Sequence, residues 1–194
     1  MRQEWMKILT LILSIGFLLA WGGYDKVLAA EGGAKKKMIV AYFSHSGNTR
    51  EIARQIQKSV GGDLFEIVTV KEYPRDYNAV VDVAKKEQES GSRPVLKAEV
   101  KDFRSYDVVF LGYPNWWGTM PMAVFTFLEK YDFSGKTIIP FCTHEGSRLR
   151  RSVEDIARLC PKSTILEGLA VRGSGVKNAQ KDLSIWLRKL KMIE

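Results

Sequence analysis

The sequence predicts an α/β fold, a three-layer sandwich in which a five-stranded parallel sheet carries helices on both faces. Three observations predict it. From Lys37 onward, five apolar runs alternate strictly with five helical patterns. The runs are almost continuously apolar, as strands buried on both faces are. Strand-helix-strand alternation implies right-handed crossovers and therefore parallel neighbours.

The elements follow in order. Residues 38–43 form the first apolar strand. Residues 48–60 form a helix with Ile52, Ala53, Ile56 and Val60 on one face, stopped by Gly61-Gly62. Residues 63–68 are the second strand. A loop containing Tyr73-Pro74 leads to a polar helix over 78–89, and residues 90–94 break the chain. The short third strand covers 108–111, and a helix covers 121–131. The fourth strand and helix cover 137–142 and 147–159. The fifth cover 164–170 and 177–190.

The first thirty residues stand apart. Arg2 and Lys7 precede an apolar run over 8–20, and small residues follow at Ala29 and Ala30. This is the tripartite pattern of a secretory signal peptide. The run is shorter than the ~20 residues of a membrane span. An uncleaved N-terminal anchor is the rival reading. The expected organisation is thus a leader over 1–30, a flexible lead over 31–36 and one domain over 37–194. The expected location is extracytoplasmic, periplasmic or secreted, or else membrane-anchored through the leader.

The formal net charge is +8 over 194 residues. Residues 1–30 hold Arg2, Lys7 and Lys26 against Glu4 and Asp25, which leaves +7 for the remainder. The lysines and arginines are scattered, no basic run outside Lys35-Lys36-Lys37 exceeds two or three residues, and there is no stacking or groove-reading motif. That argues against nucleic acid and for a solvated surface with a mild preference for anionic partners. Cys142 ends a strand and Cys160 ends the following helix, at opposite ends of the layer. Two separate buried thiols are expected rather than a bridge.

In a parallel sheet of this kind, ligands bind beyond the carboxyl ends of the strands. Three loops there are distinctive. The first, Ser44, His45, Ser46, Gly47, Asn48 and Thr49, runs from a strand into a helix. Short hydroxyl and amide side chains, a glycine and free N–H groups at a helix N-terminus suit a phosphate. They also suit a plain turn and N-cap. The second, GYPNWWGT over 112–119, holds Pro114, Asn115, Trp116, Trp117 and Gly118. Aromatic rings in a loop suit stacking on a flat ligand, and Asn115 and the Gly118 backbone suit its edge. The third, Thr143, His144, Glu145, Gly146 and Ser147, is small and polar at an expected helix start. Both histidines, His45 and His144, fall in these loops. Without nearby cysteines or paired aspartates they make a poor metal site, and a hydrogen bond to a bound ring or a proton relay is the alternative role.

With the motifs YFSHSGNTR, LGYPNWWGTMP and PFCTHEGS in this order, the sequence resembles the flavodoxin-like family over about residues 37–190. The resemblance implies a flavodoxin-like three-layer sandwich with strand order 2-1-3-4-5 and non-covalently bound flavin mononucleotide (FMN). It implies that Ser44, Ser46, Gly47, Asn48 and Thr49 hold the phosphate, with His45 in the same loop. Pro114, Asn115, Trp116, Trp117 and Gly118 would flank the isoalloxazine, and Thr143, His144, Glu145, Gly146 and Ser147 would contact its other side. The flavin carries the chemistry, so no catalytic side chain is expected, and His144 and Glu145 are candidate tuners of its potential. The basic charge and the leader depart from a cytoplasmic electron carrier, and the THEGS loop and paired tryptophans resemble a flavodoxin-like oxidoreductase subgroup. Expected partners are a redox protein or a quinone-like acceptor. The alternative is a flavodoxin-like binding module without redox turnover. An esterase-like use of Ser44 or Ser46 lacks a base and carboxylate arrangement.

Overall fold

The computed structural model describes residues 36–194. The expected leader and most of the lead lie outside the described residues. Strand β1 spans Met38–Tyr42, one residue shorter than expected, and helix α1 spans Asn48–Val60, as expected from the sequence. Then come β2 (Asp63–Glu66), α2 (Tyr77–Ser90), β3 (Val108–Pro114), α3 (Met122–Lys130), β4 (Thr137–His144) and α4 (Ser152–Leu159). The chain closes with β5 (Thr164–Ile165), β6 (Leu169–Arg172) and α5 (Gln180–Lys189). The sheet order is β2-β1-β3-β4-β5, all parallel, and β6 also pairs with β4. The expected fold and order 2-1-3-4-5 are those found.

Period-two alternation along the strands divides the core between the two faces. Ile39, Ala41, Leu111 and Ile138 pack under Val124, Phe127 and Leu128 of α3 and Ile156 of α4. Val40, Phe110, Ile139 and Phe141 pack under Ile52 and Ile56 of α1 and Leu183 and Leu187 of α5. Each such side chain contributes on the order of 1.5–3 kcal/mol by burial. Cys142 and Cys160 are both buried and free.

Several boundaries differ from expectation, and three of them have a clear physical reason. Strand β3 runs on through Gly112 and Tyr113 to Pro114, because Gly112 pairs with Phe141 and leaves room for its ring. A Cβ at Gly112 would lie 2.2 Å from that ring. Helix α4 starts at Ser152 rather than 147. Between them Arg148 and Arg150 have φ of 56° and 49°, which no right-handed helix accommodates. Ser147 therefore sits in a loop and not at a helix start. The fifth strand divides into β5 and β6 opposite Pro140, which lacks the N–H that a ladder needs, and Gly168 crosses close over the Pro140 ring. The last helix is preceded by a 3₁₀ segment, Gly173–Asn178.

Candidate functional site

Loop one turns at Gly47, whose φ of 95° places a left-handed residue at the N-cap of α1. No side chain caps the helix. The Ser44 hydroxyl accepts from the Arg50 N–H at 3.2 Å, and Glu51 N–H bonds the Gly47 carbonyl at 3.0 Å. Among the described residues, the N–H groups of Ser46, Gly47, Asn48 and Thr49 meet no acceptor. Four neighbouring donors at a helix N-terminus are an arrangement that suits an anion. Thr49 is buried, and its hydroxyl lies 2.8 Å from that of Thr143 at the end of β4. Loops one and three are thereby tied together. Arg50 turns away from the loop and pairs with Glu66 at 2.5 Å.

Loop two is a hairpin. Trp116 and Thr119 exchange two backbone hydrogen bonds, at 2.8 and 3.1 Å. Between them Trp117 and Gly118 both have positive φ, 51° and 83°, as a two-residue type I′ turn requires. The Asn115 side chain closes it. Its Oδ1 accepts from Gly118 N–H at 3.1 Å, and its Nδ2 donates to the Arg148 carbonyl at 2.8 Å. The Asn115 N–H donates to the Thr143 carbonyl at 2.8 Å, so loops two and three are also joined.

The two tryptophans differ. Trp116 is half-buried and meets Phe43, Tyr73 and His45 edge to face, with centroid distances of 5.4, 5.3 and 5.8 Å. Trp117 points to α2, where its Nε1–H donates to the Val81 carbonyl at 3.1 Å. One tryptophan thus faces the three-loop site, while the other anchors the hairpin.

The histidines are oriented by their loops. His45 Nε2–H donates to the Pro74 carbonyl at 2.7 Å. His144 Nδ1 accepts from Gly146 N–H at 2.9 Å, which leaves Nε2 to carry the proton. Desolvation holds the His144 imidazole below its ordinary value, with Arg148 and Arg172 acting the same way and Glu145 opposing. Glu145 is exposed, 4.0 Å from Arg172. Its carboxylate packs over Gly173 beside the Asn48 amide, where a Cβ would be 2.2 Å from Oε1. The site therefore brings together loop one, the Trp116 side of loop two and loop three.

Two contributors were not expected from the sequence. Tyr73 and Pro74, after β2, wall the site through Trp116 and His45. The Tyr73 hydroxyl donates to Glu87 at 2.6 Å, and burial raises both groups above their ordinary values. The available signal is the aromatic–proline pair in the loop after the second strand. Arg172 and Gly173 are the other pair, hidden because β6 separates from β5. A cavity of about 610 Å³ lies behind Tyr73 and Pro74, lined also by Val70, Glu87 and Val95. It is distinct from the meeting point of the three loops.

Fold and candidate site define the class: a doubly wound α/β protein that sets a helix N-terminus with free N–H donors beside an aromatic wall at the carboxyl edge of the sheet. The chain belongs to the flavodoxin family, whose model matches residues 37–190. A flavodoxin of Haemophilus influenzae is 30% identical over 101 residues, 50% of this chain and 44% of the relative. The chain spans about half the length of the curated relatives it matches. Among solved structures, a protein assigned as a flavoprotein from Bacteroides eggerthii is 32% identical with a TM-score of 0.69, covering 79% of this chain and 97% of that one. A Lactobacillus acidophilus flavoprotein in complex with FMN shares the fold at 22% identity and a TM-score of 0.62, covering 74% and 97%.

Proposed function

We propose that this chain is a flavoprotein that holds FMN non-covalently and transfers electrons to a redox partner or a quinone-like acceptor. Its cofactor is FMN. The observation that carries the reading is the run of unpartnered N–H groups over residues 46–49 beside the Trp116 wall. A ligand with a phosphate at one end and a flat ring at the other meets both features.

The donor set fits the group. Ser44, Ser46, Gly47, Asn48 and Thr49 would hold the phosphate. Trp116, with Pro114 and Asn115 behind it, would flank the ring on one side, and residues 143–147 on the other. Bound FMN supplies the redox chemistry. The protein binds, orients and tunes. The Thr49–Thr143 pair holds two loops in register, and the Asn115 bonds fix the hairpin that presents Trp116. Glu145 and the neutral His144 set the charge near the ring. The pattern of residues 1–30 supports an extracytoplasmic location or a membrane anchor, and electrons would then come from a donor other than a cytoplasmic nicotinamide.

The test is direct. Residues 31–194 are expressed, the visible spectrum is recorded, and the released chromophore is identified. A yellow protein yielding FMN is expected. A colourless protein that takes up no added FMN overturns the reading. For the location, cleavage and export of the full chain are followed in cell fractions, and retention in the cytoplasm rejects it.

A further inference from the structure

The Trp117 hairpin is clamped between two elements and leaves an aromatic face in solvent. On one side, Gln88 Nε2 donates to the Trp117 carbonyl at 3.5 Å, and the Lys85 ammonium lies 5.3 Å from the ring centroid. On the other, Arg151 N–H donates to the Gly118 carbonyl at 3.3 Å. Trp117 remains 49% exposed. Tyr77, one turn before Val81 on α2, is 76% exposed.

This face carries unpaired positive charge. Arg148 and Arg150 are exposed and have no carboxylate within ion-pair distance among the described residues. Of the nearby carboxylates, Asp82 and Glu154 are exposed and form no ion pair among the described residues, while two others are engaged. Asp155 serves Arg151, Arg158 and the Thr119 hydroxyl, and Glu89 faces Lys85 at 3.9 Å. Both free arginines have left-handed backbone, φ 56° and 49°, a conformation that costs energy for a residue with a Cβ. Exposed aromatic rings with unpaired arginines match the composition of the energetic centre of a protein interface.

We propose that Trp117, Arg148 and Arg150 form a docking face for a redox protein with an acidic surface. The proposal rests on the electron-transfer reading above and names the chemistry of its partner. The same hairpin carries Trp116, so a partner docked on Trp117 rests at the edge of the cofactor site. Two unpaired arginines are few for a phosphate lattice, and Arg151, which adjoins them in the sequence, is held by Asp155, which favours a protein over an anionic membrane or nucleic acid.

The experiment uses an acidic two-iron ferredoxin as probe, cytochrome c as the basic control and phosphatidylglycerol vesicles as the membrane control. Binding to the full chain, with and without FMN, is measured by calorimetry. The ferredoxin is expected to bind, with affinity falling about tenfold between roughly 20 and 200 mM salt as screening shortens. R148E/R150E is expected to weaken it about tenfold or more, measured in protein that still takes up FMN. R148G/R150G removes the charges while relaxing the backbone, so it guards against a folding defect and should show the same loss. Tighter binding of cytochrome c, arginine-dependent binding of the vesicles but not of ferredoxin, or unchanged ferredoxin affinity in both variants each overturns the docking face. A chain that takes up no FMN yet binds ferredoxin through these arginines supports the face and removes the flavoprotein reading alone.

Discussion

The hydroxyls of Thr49 and Thr143 lie 2.8 Å apart in a buried contact that joins the first turn of α1 to the end of β4. The residues are 94 positions apart, yet they set the spacing between the anion site and loop three. Removing one partner strands a buried hydroxyl, which costs about 1–3 kcal/mol. T49V and T143V should each lower stability by that order in urea unfolding. The double variant T49V/T143V should recover part of the loss, because no polar group remains unpaired.

Ser46 is exposed within the run of free N–H groups. A carboxylate there would face a phosphate. S46E should weaken FMN binding by about 100-fold or more, equivalent to about 2.8 kcal/mol. Flavin fluorescence titration measures it, and unaltered affinity in a folded variant would place the phosphate elsewhere.

Glu145 is the carboxylate of loop three, next to Arg172 and Gly173. E145Q removes a negative charge that disfavours addition of electrons nearby. The midpoint potential should rise on the order of tens of millivolts, since the charge is exposed and screened. Spectroelectrochemical titration reads the shift, and an unchanged potential removes Glu145 as a tuner.

His144 gives a pH dependence with a definite sign. Its folded pKa is depressed, chiefly by desolvation. Between the folded and unfolded values the unfolded chain binds more protons, so stability rises with pH through that window. The stabilisation is present above the ordinary imidazole range and is lost as pH falls through the folded value. Comparing the wild type with H144Q in chemical denaturation from pH 8 downward isolates the contribution, and NMR titration of the His144 ring reports the depressed value directly.

The thiols should be silent in the native state. Burial pushes Cys142 up to about 12 and Cys160 up to about 11. Neither forms a significant thiolate near pH 8, and neither is reachable. A chromogenic disulfide reagent should titrate no thiol in the folded protein and two after denaturation. Rapid native labelling of either would contradict the buried arrangement.

Much of the architecture was legible in the sequence because it rests on local periodicity. Five apolar runs and five amphipathic patterns determine the layers, and Gly61-Gly62 marks the end of α1 at the residue observed. The loops carrying His45, Trp116 and His144 follow from the rule that sites lie beyond the carboxyl ends of strands. Boundaries failed where glycine or proline took its role from a distant partner. Gly112 reads as a loop residue until Phe141 is seen packed on it, and Pro140 breaks a strand that begins only at Thr164.

The sequence by itself therefore determined the class of fold, the sheet edge that carries the site and the residue types gathered there. Only the tertiary structure decided which side chains stay available. It turned Trp116 towards Tyr73 and His45 and Trp117 towards Val81, tied Asn115 to Arg148, and left Arg148 and Arg150 in left-handed backbone without an ion pair among the described residues. The physical reason is range. Periodicity and turn chemistry act over a few residues, whereas a hydrogen bond or ring contact between loops depends on how far the sheet brings their ends together.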